Sequence, residues 1–376
     1  MMEPRAFGGL LQEHGVTFFS GVPCSFLRGL INHALNHLDY YAAANEGDAV
    51  AIAAGATLGG RRAAVLLQNS GLTNALSPLT SLNHVFRIPV LGFVSLRGEP
   101  GVADEPQHEL LGEITGKLLK VCRIETLLLD RDLDEARRQL LQADKFLRQD
   151  RSAFLIVRKG TFAEEPLSRP FCVPDSPKRL HISGSNRTFP RRIDVLAALN
   201  GLRDRNTLLL ATTGKTGREL YELEDHPGNL YMVGSMGCVS SLGLGLALAR
   251  PDKKVIAIDG DGALLMRMGS LATNGFYRPP NLLHVVLDNR CHDSTGGQDT
   301  VSGNVCFAAV ASYSGYPAAM EVHVLSEFTS AVQTWLTAGG LTLISLPTGK
   351  GSKEALGRPG IKPIEVKERL MRHVQQ

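Results

Sequence analysis

Asp261, inside Gly260-Asp261-Gly262, and Asn289, 28 residues further on, are two oxygen-bearing side chains whose spacing suits a cation. The tripeptide closes the apolar run Val255-Ile256-Ala257-Ile258-Asp259, and Asn289 closes Leu282-Leu283-His284-Val285-Val286-Leu287. Both runs are β-branched, nearly continuous and bounded by turn residues, the pattern of buried parallel strands. The stretch from Ala263 to Arg278 is long enough for a crossover helix. The spacing therefore predicts two oxygen ligands at the carboxyl ends of neighbouring strands, beside a helix N-terminus. Mg²⁺ takes a few protein oxygens plus phosphates, and free helix N–H groups suit phosphate oxygens. A divalent cation and a diphosphate could be held there together. Alone, Gly-Asp-Gly is ordinarily a turn; the second strand and Asn289 lend it weight.

Other segments carry chemistry of a softer kind. Asn45-Glu46-Gly47-Asp48-Ala49 opens an Ala-rich helix, where local chemistry alone makes Asn45 an N-cap and favours acids in the first turn. Gly234-Ser235-Met236-Gly237 reads locally as a Gly-rich lead-in to a helix with a core Met. Ala211-Thr212-Thr213-Gly214-Lys215-Thr216 follows a strand and offers backbone N–H groups and hydroxyls to a diphosphate. Arg97, His108, Lys215, Arg290 and His292 are expected in loops at strand ends, where they could meet an anionic substrate.

Taken together, these segments resemble the thiamine diphosphate (ThDP)-dependent 2-oxo acid decarboxylases. The resemblance implies Mg²⁺ held by Asp261, Asn289 and the main-chain oxygen of Cys291. Gly260, Gly262, Ala263, Thr213 and Gly214 would contact the cofactor beside it. Asp288 and Cys291 stand where the family often has Asn and Gly, but only a main-chain oxygen is needed at the latter. Glu46 is implied to bond N1′ of the aminopyrimidine and favour the tautomer that activates the cofactor. Gly234 and Ser235 would support the ring edge, and Met236 would lie under the cofactor and enforce its bent shape.

Many members of the family carry a central third domain, for which this chain has no room. Its compact order resembles the branch of phosphonopyruvate and sulfopyruvate decarboxylases. So do Gly21-Val22-Pro23-Cys24-Ser25, Gln68-Asn69-Ser70-Gly71-Leu72-Thr73-Asn74 and Arg97-Gly98-Glu99-Pro100-Gly101. Asp104-Glu105-Pro106-Gln107-His108 and Asp293-Ser294-Thr295-Gly296-Gly297-Gln298 complete the set. Cys24 stands where the branch often has Asp. The resemblance implies ThDP- and Mg²⁺-dependent, nonoxidative decarboxylation of 3-phosphonopyruvate to phosphonoacetaldehyde and CO₂, within phosphonate (antibiotic) biosynthesis. Catalysis would rest on Glu46, Asp104, Gln107 and His108, with Asp104 and Asp293 as further candidates for proton relay. Substrate contacts would come from Ser25, Arg97, His292, Ser294 and Thr295.

Sulfopyruvate is the alternative substrate. Known sulfopyruvate enzymes commonly divide the two domains between subunits, which favours phosphonopyruvate for a fused chain. A noncatalytic ThDP-binding regulatory module is the alternative of another class; Glu46 retained with Asp261 and Asn289 argues against it. A nucleotide-binding oxidoreductase lacks its Gly-x-Gly-x-x-Gly, since the turn after Ser20 reads Gly21-Val22-Pro23-Cys24. Family sites lie between subunits, so a homodimer or homotetramer is expected.

The elements that must position these residues follow from composition and pattern. A chain of 376 residues, 43% hydrophobic and with 39 glycines, suits two α/β domains with many tight turns. A net charge of +3 from 40 basic and 37 acidic residues argues against nucleic acid as a partner. The six cysteines form no Cys-x-x-Cys pair, so structural zinc or a disulfide framework is not expected, and a reducing cytoplasm is. Nothing at the N-terminus reads as a signal sequence. The uncharged window Pro227 to Ala249 holds five glycines and reads as a loop entering a close-packed helix, not a membrane span.

Strands are expected at Val16–Ser20, Ala63–Gln68, Pro89–Ser95 and Ala153–Val157, and helices at Ser25–His37, Glu46–Leu58, Leu72–His84 and Asp134–Arg148. Prolines 166, 170, 174, 177 and 190 mark residues 164–190 as an extended linker. Strands resume at Asn206–Ala211, Val255–Asp259, Leu282–Asp288 and Leu341–Leu346. The expected architecture is two doubly wound parallel-sheet domains of the ThDP-binding fold. The pyrimidine-binding domain would span 1–163 and the diphosphate-binding domain 191–376.

Overall fold

The computed structural model describes residues 1–170, 178–184 and 188–376. The chain forms two compact units, Met1–Cys172 and Val173–Gln376.

In the first unit, β1 (Val16–Gly21), β2 (Asp39–Ala42), β3 (Arg62–Gln68), β4 (Leu91–Ser95), β5 (Glu125–Leu128) and β6 (Ala153–Val157) form one sheet in the order β2-β1-β3-β4-β6-β5. Every pairing in it is parallel, so helices must return the chain across its faces. The central strands are buried along nearly their whole length, and each Val, Leu or Phe removed from water contributes roughly 1.5–3 kcal/mol. The helix Glu46–Leu58 is buried from Gly47 almost to its end, and its small side chains allow a close seat on the sheet. Asn45 caps it, its Oδ1 accepting the Gly47 N–H at 2.8 Å.

The second unit holds β7 (Arg179–Ile182), β8 (Thr207–Ala211), β9 (Asn229–Tyr231), β10 (Lys254–Gly260) and β11 (Leu282–Asp288). A short hairpin, β12 (Cys291–His292) and β13 (Gln298–Asp299), precedes β14 (Ala318–Glu321) and β15 (Thr342–Pro347). The main sheet runs β7-β14-β15-β11-β10-β8-β9, again wholly parallel. With β7 and the hairpin set aside and strands renumbered within each unit, both sheets read 2-1-3-4-6-5. The two units repeat one architecture that no short-period sequence repeat discloses.

Several local expectations change. Arg179–Ile182, inside the stretch read as linker, is the edge strand β7, paired with β14 from Arg179 opposite Ala318. The expectation of linker at 171–177 and 185–187 lies outside the described residues. The single crossover helix expected over 263–278 is two short helices, Asp261–Met266 and Ser270–Tyr277. Asp261 therefore opens a helix, with extended Gly260 before it. The helix expected from Leu72 starts at Asn69 and passes through a π-helical segment, Leu79–Asn83, directly after Pro78. A proline ring inside a helix displaces the preceding turn, and a wider turn accommodates it. Among the described residues no helix is long and apolar enough to cross a membrane, and Cys24, Cys122, Cys238, Cys291 and Cys306 are free thiols.

Candidate active site

In the second unit the parallel register sets Gly260 of β10 opposite Leu287 of β11, so Asp261 and Asn289 emerge just beyond the carboxyl ends of adjacent strands. One cleft is lined by both, together with Thr213, Gly214, Met236, Gly260, Gly262, Ala263, Cys291, His292 and Ser294. Most of the residues singled out in this half of the sequence thus converge. Gly214, at φ 95°, opens the helix Lys215–Leu223, and Lys215 also faces the cleft. A Cβ on Gly262 would come within 2.6 Å of the His292 ring, so glycine is what lets that ring close over the turn. Ser235 (φ 53°) and Gly237 (φ 89°) shape the bend around Met236, while Gly234 and Ser235, expected at the cofactor, are not among the residues that line the cleft.

The polar groups behind the cleft fix how its oxygens face. Asp293 accepts from Asn289 Nδ2 at 2.7 Å and from Arg192 Nη1 at 2.9 Å. Arg192 is itself buried and bonded through Nε to Glu219 at 2.8 Å. Burial works against the charge on Arg192, but Glu219 and Asp293 outweigh it and raise its pKa. Burial likewise opposes the Asp293 carboxylate, and the Cys291 thiol and Arg192 hold it below its usual range. An ionised carboxylate can only accept, so it holds the amide NH₂ of Asn289 toward itself and turns Oδ1, which also accepts the Cys291 N–H at 3.2 Å, the other way. Asp293, expected as a candidate proton relay, is ion-paired with Arg192 and bonded to the Asn289 amide and the Cys291 thiol.

Cys291 donates its thiol to Asp293 Oδ1 at 3.1 Å. Burial and that carboxylate push the thiol up to about 11, so it stays protonated and the main-chain oxygen is what this position can offer a hard cation. Asp261 accepts from the Thr300 hydroxyl, which also contacts Ser302 Oγ at 3.0 Å. Ser302 in turn donates to Asp288 Oδ1 at 3.0 Å. Burial and the neighbouring Asp261 raise the Asp288 carboxyl. Crowded carboxylates beside an amide oxygen form an oxygen-only donor set, which fits Mg²⁺ better than a thiolate-preferring metal. A Cβ on Gly260 would meet nothing within 4 Å, so the backbone there is open to a ligand. These residues fit a metal-bound diphosphate.

The first unit brings together a second group. Glu46 opens its helix, and Oε2 accepts from Asn74 Nδ2 at 2.9 Å. A Cβ on Gly71 would lie 2.0 Å from Glu46 Oε1. The helix Asn69–Pro78 thus grips the carboxylate with one amide and leaves it room with one glycine. Arg97, just after β4, binds Asp104 through two nitrogens, reaches Ser25 Oγ at 3.2 Å and lies 4.8 Å over the Phe26 ring. Asp104 also accepts from the N–H groups of Gly98 and Glu105, each at 2.9 Å. Arg97 and these N–H groups hold its carboxyl far below the usual carboxylate range. Asp104, expected as a catalytic or relay group, is thereby an anion that fixes Arg97.

His108 is 6% exposed, and its Nδ1 is buried without a partner. Gln107 beside it is exposed. Cys24 is buried against Ser95 Oγ at 3.0 Å and Gln68 Oε1 at 3.4 Å. Thr295 is not brought into the second-unit cleft; its hydroxyl closes a turn on the His292 carbonyl and Gln298. Asn74 stood inside a quoted motif without an assigned part, whereas Arg192, Glu219 and Thr300 carried no local signal.

Comparison with known proteins covers both groups. Residues 5–117 match the thiamine pyrophosphate enzyme N-terminal TPP-binding domain, and residues 213–346 the C-terminal one. The chain is 42% identical over 361 residues to a phosphonopyruvate decarboxylase of Streptomyces viridochromogenes, covering 95% of this chain and 91% of that protein. A phosphonopyruvate decarboxylase of Streptomyces hygroscopicus is 42% identical over 366 residues, 95% and 90% of the two chains. A sulfopyruvate decarboxylase of Methanosarcina acetivorans is 30% identical over 305 residues, 77% and 76% of the two chains. That span exceeds either unit, so a fused order of the two domains does not by itself separate the two substrates, contrary to the expectation from sequence. In fold, the chain is similar to a thiamin diphosphate-dependent enzyme of Mycobacterium smegmatis, at a TM-score of 0.74 and 14% identity over 93% of this chain and 100% of that one. With both family domains matched, Glu46 within one and Asp261 and Asn289 within the other, the chain belongs to the thiamine pyrophosphate enzymes, in the branch that holds the phosphonopyruvate decarboxylases.

Proposed function

We propose that this chain catalyses the nonoxidative decarboxylation of 3-phosphonopyruvate to phosphonoacetaldehyde and CO₂, as a step in phosphonate biosynthesis in the cytoplasm. One observation carries the choice of substrate: 42% identity, sustained over 95% of the chain, to two phosphonopyruvate decarboxylases. The sulfopyruvate enzyme matches at 30% over a shorter span.

ThDP, when bound, supplies the electron sink for the pair left behind as CO₂ departs. Asp261, Asn289 Oδ1 and the Cys291 carbonyl would hold Mg²⁺ on its diphosphate, and Thr213, Gly214, Gly260, Gly262 and Ala263, which line the same cleft, would meet the phosphate oxygens. Gly234 and Ser235 would support the pyrimidine edge, and Met236, which lines the cleft, would pack against the bound cofactor. Glu46 would hydrogen-bond the aminopyrimidine, its carboxylate aimed by Asn74 and given space by Gly71. Arg97, stiffened by Asp104, Ser25 and Phe26, pairs with an anionic group of the 2-oxo acid. His292 and Ser294 line the substrate end, and Gln107 meets the carboxylate. His108 returns a proton to the carbon that loses CO₂.

The chain works as a homodimer or homotetramer in which Glu46 of one subunit serves the Asp261 cleft of another. Mixing the inactive variants Glu46→Gln and Asp261→Asn under subunit exchange then restores about a quarter of wild-type activity, since half the dimers are mixed and half their sites intact. No recovery would place each site within one chain. Substrate choice is tested by kcat/KM with each 2-oxo acid at saturating Mg²⁺ and ThDP, and a higher value for sulfopyruvate would overturn it.

A further inference from the structure

Apart from the residues described above, two imidazoles and a carboxylate of the first unit converge. His33 and His37 lie four residues apart on the helix Arg28–His37 and so share one face. Their rings stand 4.9 Å apart. Both address one residue: His33 Nδ1 is 3.0 Å from Glu165 Oε2, and His37 Nε2 is 3.2 Å from Oε1. The three ligand atoms lie within 4.8 Å of one another. Donors bound tetrahedrally at Zn²⁺ distances are about 3.3 Å apart, and the two N···O separations, each made to a different oxygen of the carboxylate, are near that value.

The surroundings hold this geometry. A Cβ on Gly8 would fall 2.3 Å from His33 Nε2, so the buried His33 ring is wedged against the neighbouring helix with Nδ1 turned outward. Asn36 Nδ2 donates to Glu165 Oε1 at 3.2 Å and Asn32 Nδ2 to the Glu165 carbonyl at 2.7 Å. Outer hydrogen bonds of this kind orient metal ligands. We propose that His33, His37 and Glu165 form a structural Zn²⁺ site, with water as fourth ligand, that fastens residues 164–169 to the helix Arg28–His37. Two imidazoles and one carboxylate suit zinc and disfavour Mg²⁺. The site shares no residue with the cofactor cleft, and its sequence signal is only His-x-x-x-His with a Glu more than a hundred residues away.

The test uses untagged full-length protein, freed of metal by chelation and then held in excess Mg²⁺ and ThDP. Titration with Co²⁺ should produce the visible absorption of a four-coordinate ion at one equivalent per chain, erased by one equivalent of Zn²⁺. His37 is half-exposed, so His37→Ala should fold normally yet bind Co²⁺ at least about 100-fold more weakly. Glu165→Gln, which retains hydrogen bonding, should do the same. Zn²⁺ should raise the melting temperature of the wild-type protein and not of either variant. Absence of the absorption, or binding unchanged in His37→Ala, would overturn the proposal and leave the cluster a hydrogen-bonded clip.

Discussion

Replacing Asp293 should weaken Mg²⁺ without disabling the chemistry. The carboxylate holds the Asn289 amide at 2.7 Å, and Arg192 holds the carboxylate at 2.9 Å. A flipped Asn289 would lose a hydrogen bond to a charged group, worth about 1.5–3 kcal/mol, and set its oxygen against that charge. Asp293→Ala removes this bias, leaving the Cys291 N–H, at 3.2 Å from Asn289 Oδ1, as the remaining orienting bond. It also removes one negative charge from behind the metal. Changes one shell out from a metal typically cost 10–100-fold in affinity, about 1.4–2.7 kcal/mol. Mg²⁺ titration of activity at saturating ThDP should show that shift, with kcat recovered to within about threefold at high Mg²⁺. Asp293→Asn discriminates orientation from charge. Its amide oxygen can still face Asn289 and Arg192, so a milder loss than in Asp293→Ala points to orientation. An unshifted Mg²⁺ midpoint with kcat lost would refute the reasoning and return Asp293 to the proton-transfer chemistry.

Glu46→Gln should lower kcat by about 10²–10⁴-fold with ThDP binding, followed by calorimetry, nearly intact; Gly71→Ala should give part of the same defect by displacing the carboxylate, and a fully active Gly71→Ala would contradict the close contact. Cys291→Ala should leave the Mg²⁺ midpoint within about threefold, because only a main-chain oxygen is asked of that position; a large shift would implicate the thiol. Asp104 has a depressed pKa, so its contribution to stability is present above the unfolded value of about 3.9 and lost as pH falls through the lower folded value. Urea midpoints of wild type and Asp104→Asn should therefore differ by a constant amount from pH 5 to 8 and converge only below about pH 4. A difference that changes between pH 6 and 8 would mean another group is responsible.

The ends of β3, β4, β10 and β11 are legible in the sequence because each closes an unbroken apolar run, and this is why Asp261, Asn289 and Arg97 stand out. Glu46 is legible as a helix start, though its setting fits an ordinary capped helix equally well. The groups that aim these residues are not legible. Asn74, Arg192 and Thr300 lie 28, 101 and 39 positions from the side chains they hold, and local pattern carries no trace of such distances. Short polar strands also escape. β2 contains Asp39 and two tyrosines, and β5 opens on Glu125 with mostly half-buried positions. The pairing of Asp104 escapes as well, because an acid in a loop looks available until its Arg partner is seen.

β7 bears on how this chain could be divided. All four of its side chains are exposed, so it adds little apolar core, yet its backbone saturates one side of β14. A cut at residue 190, where composition suggests the boundary, would carry β7 away with the first piece. The second piece would then present β14 as a bare edge, open to pairing with any other extended chain. A cut before Arg179 keeps the protecting strand with the sheet it covers, so four unremarkable residues in a proline-rich stretch separate a soluble half-protein from one prone to self-associate.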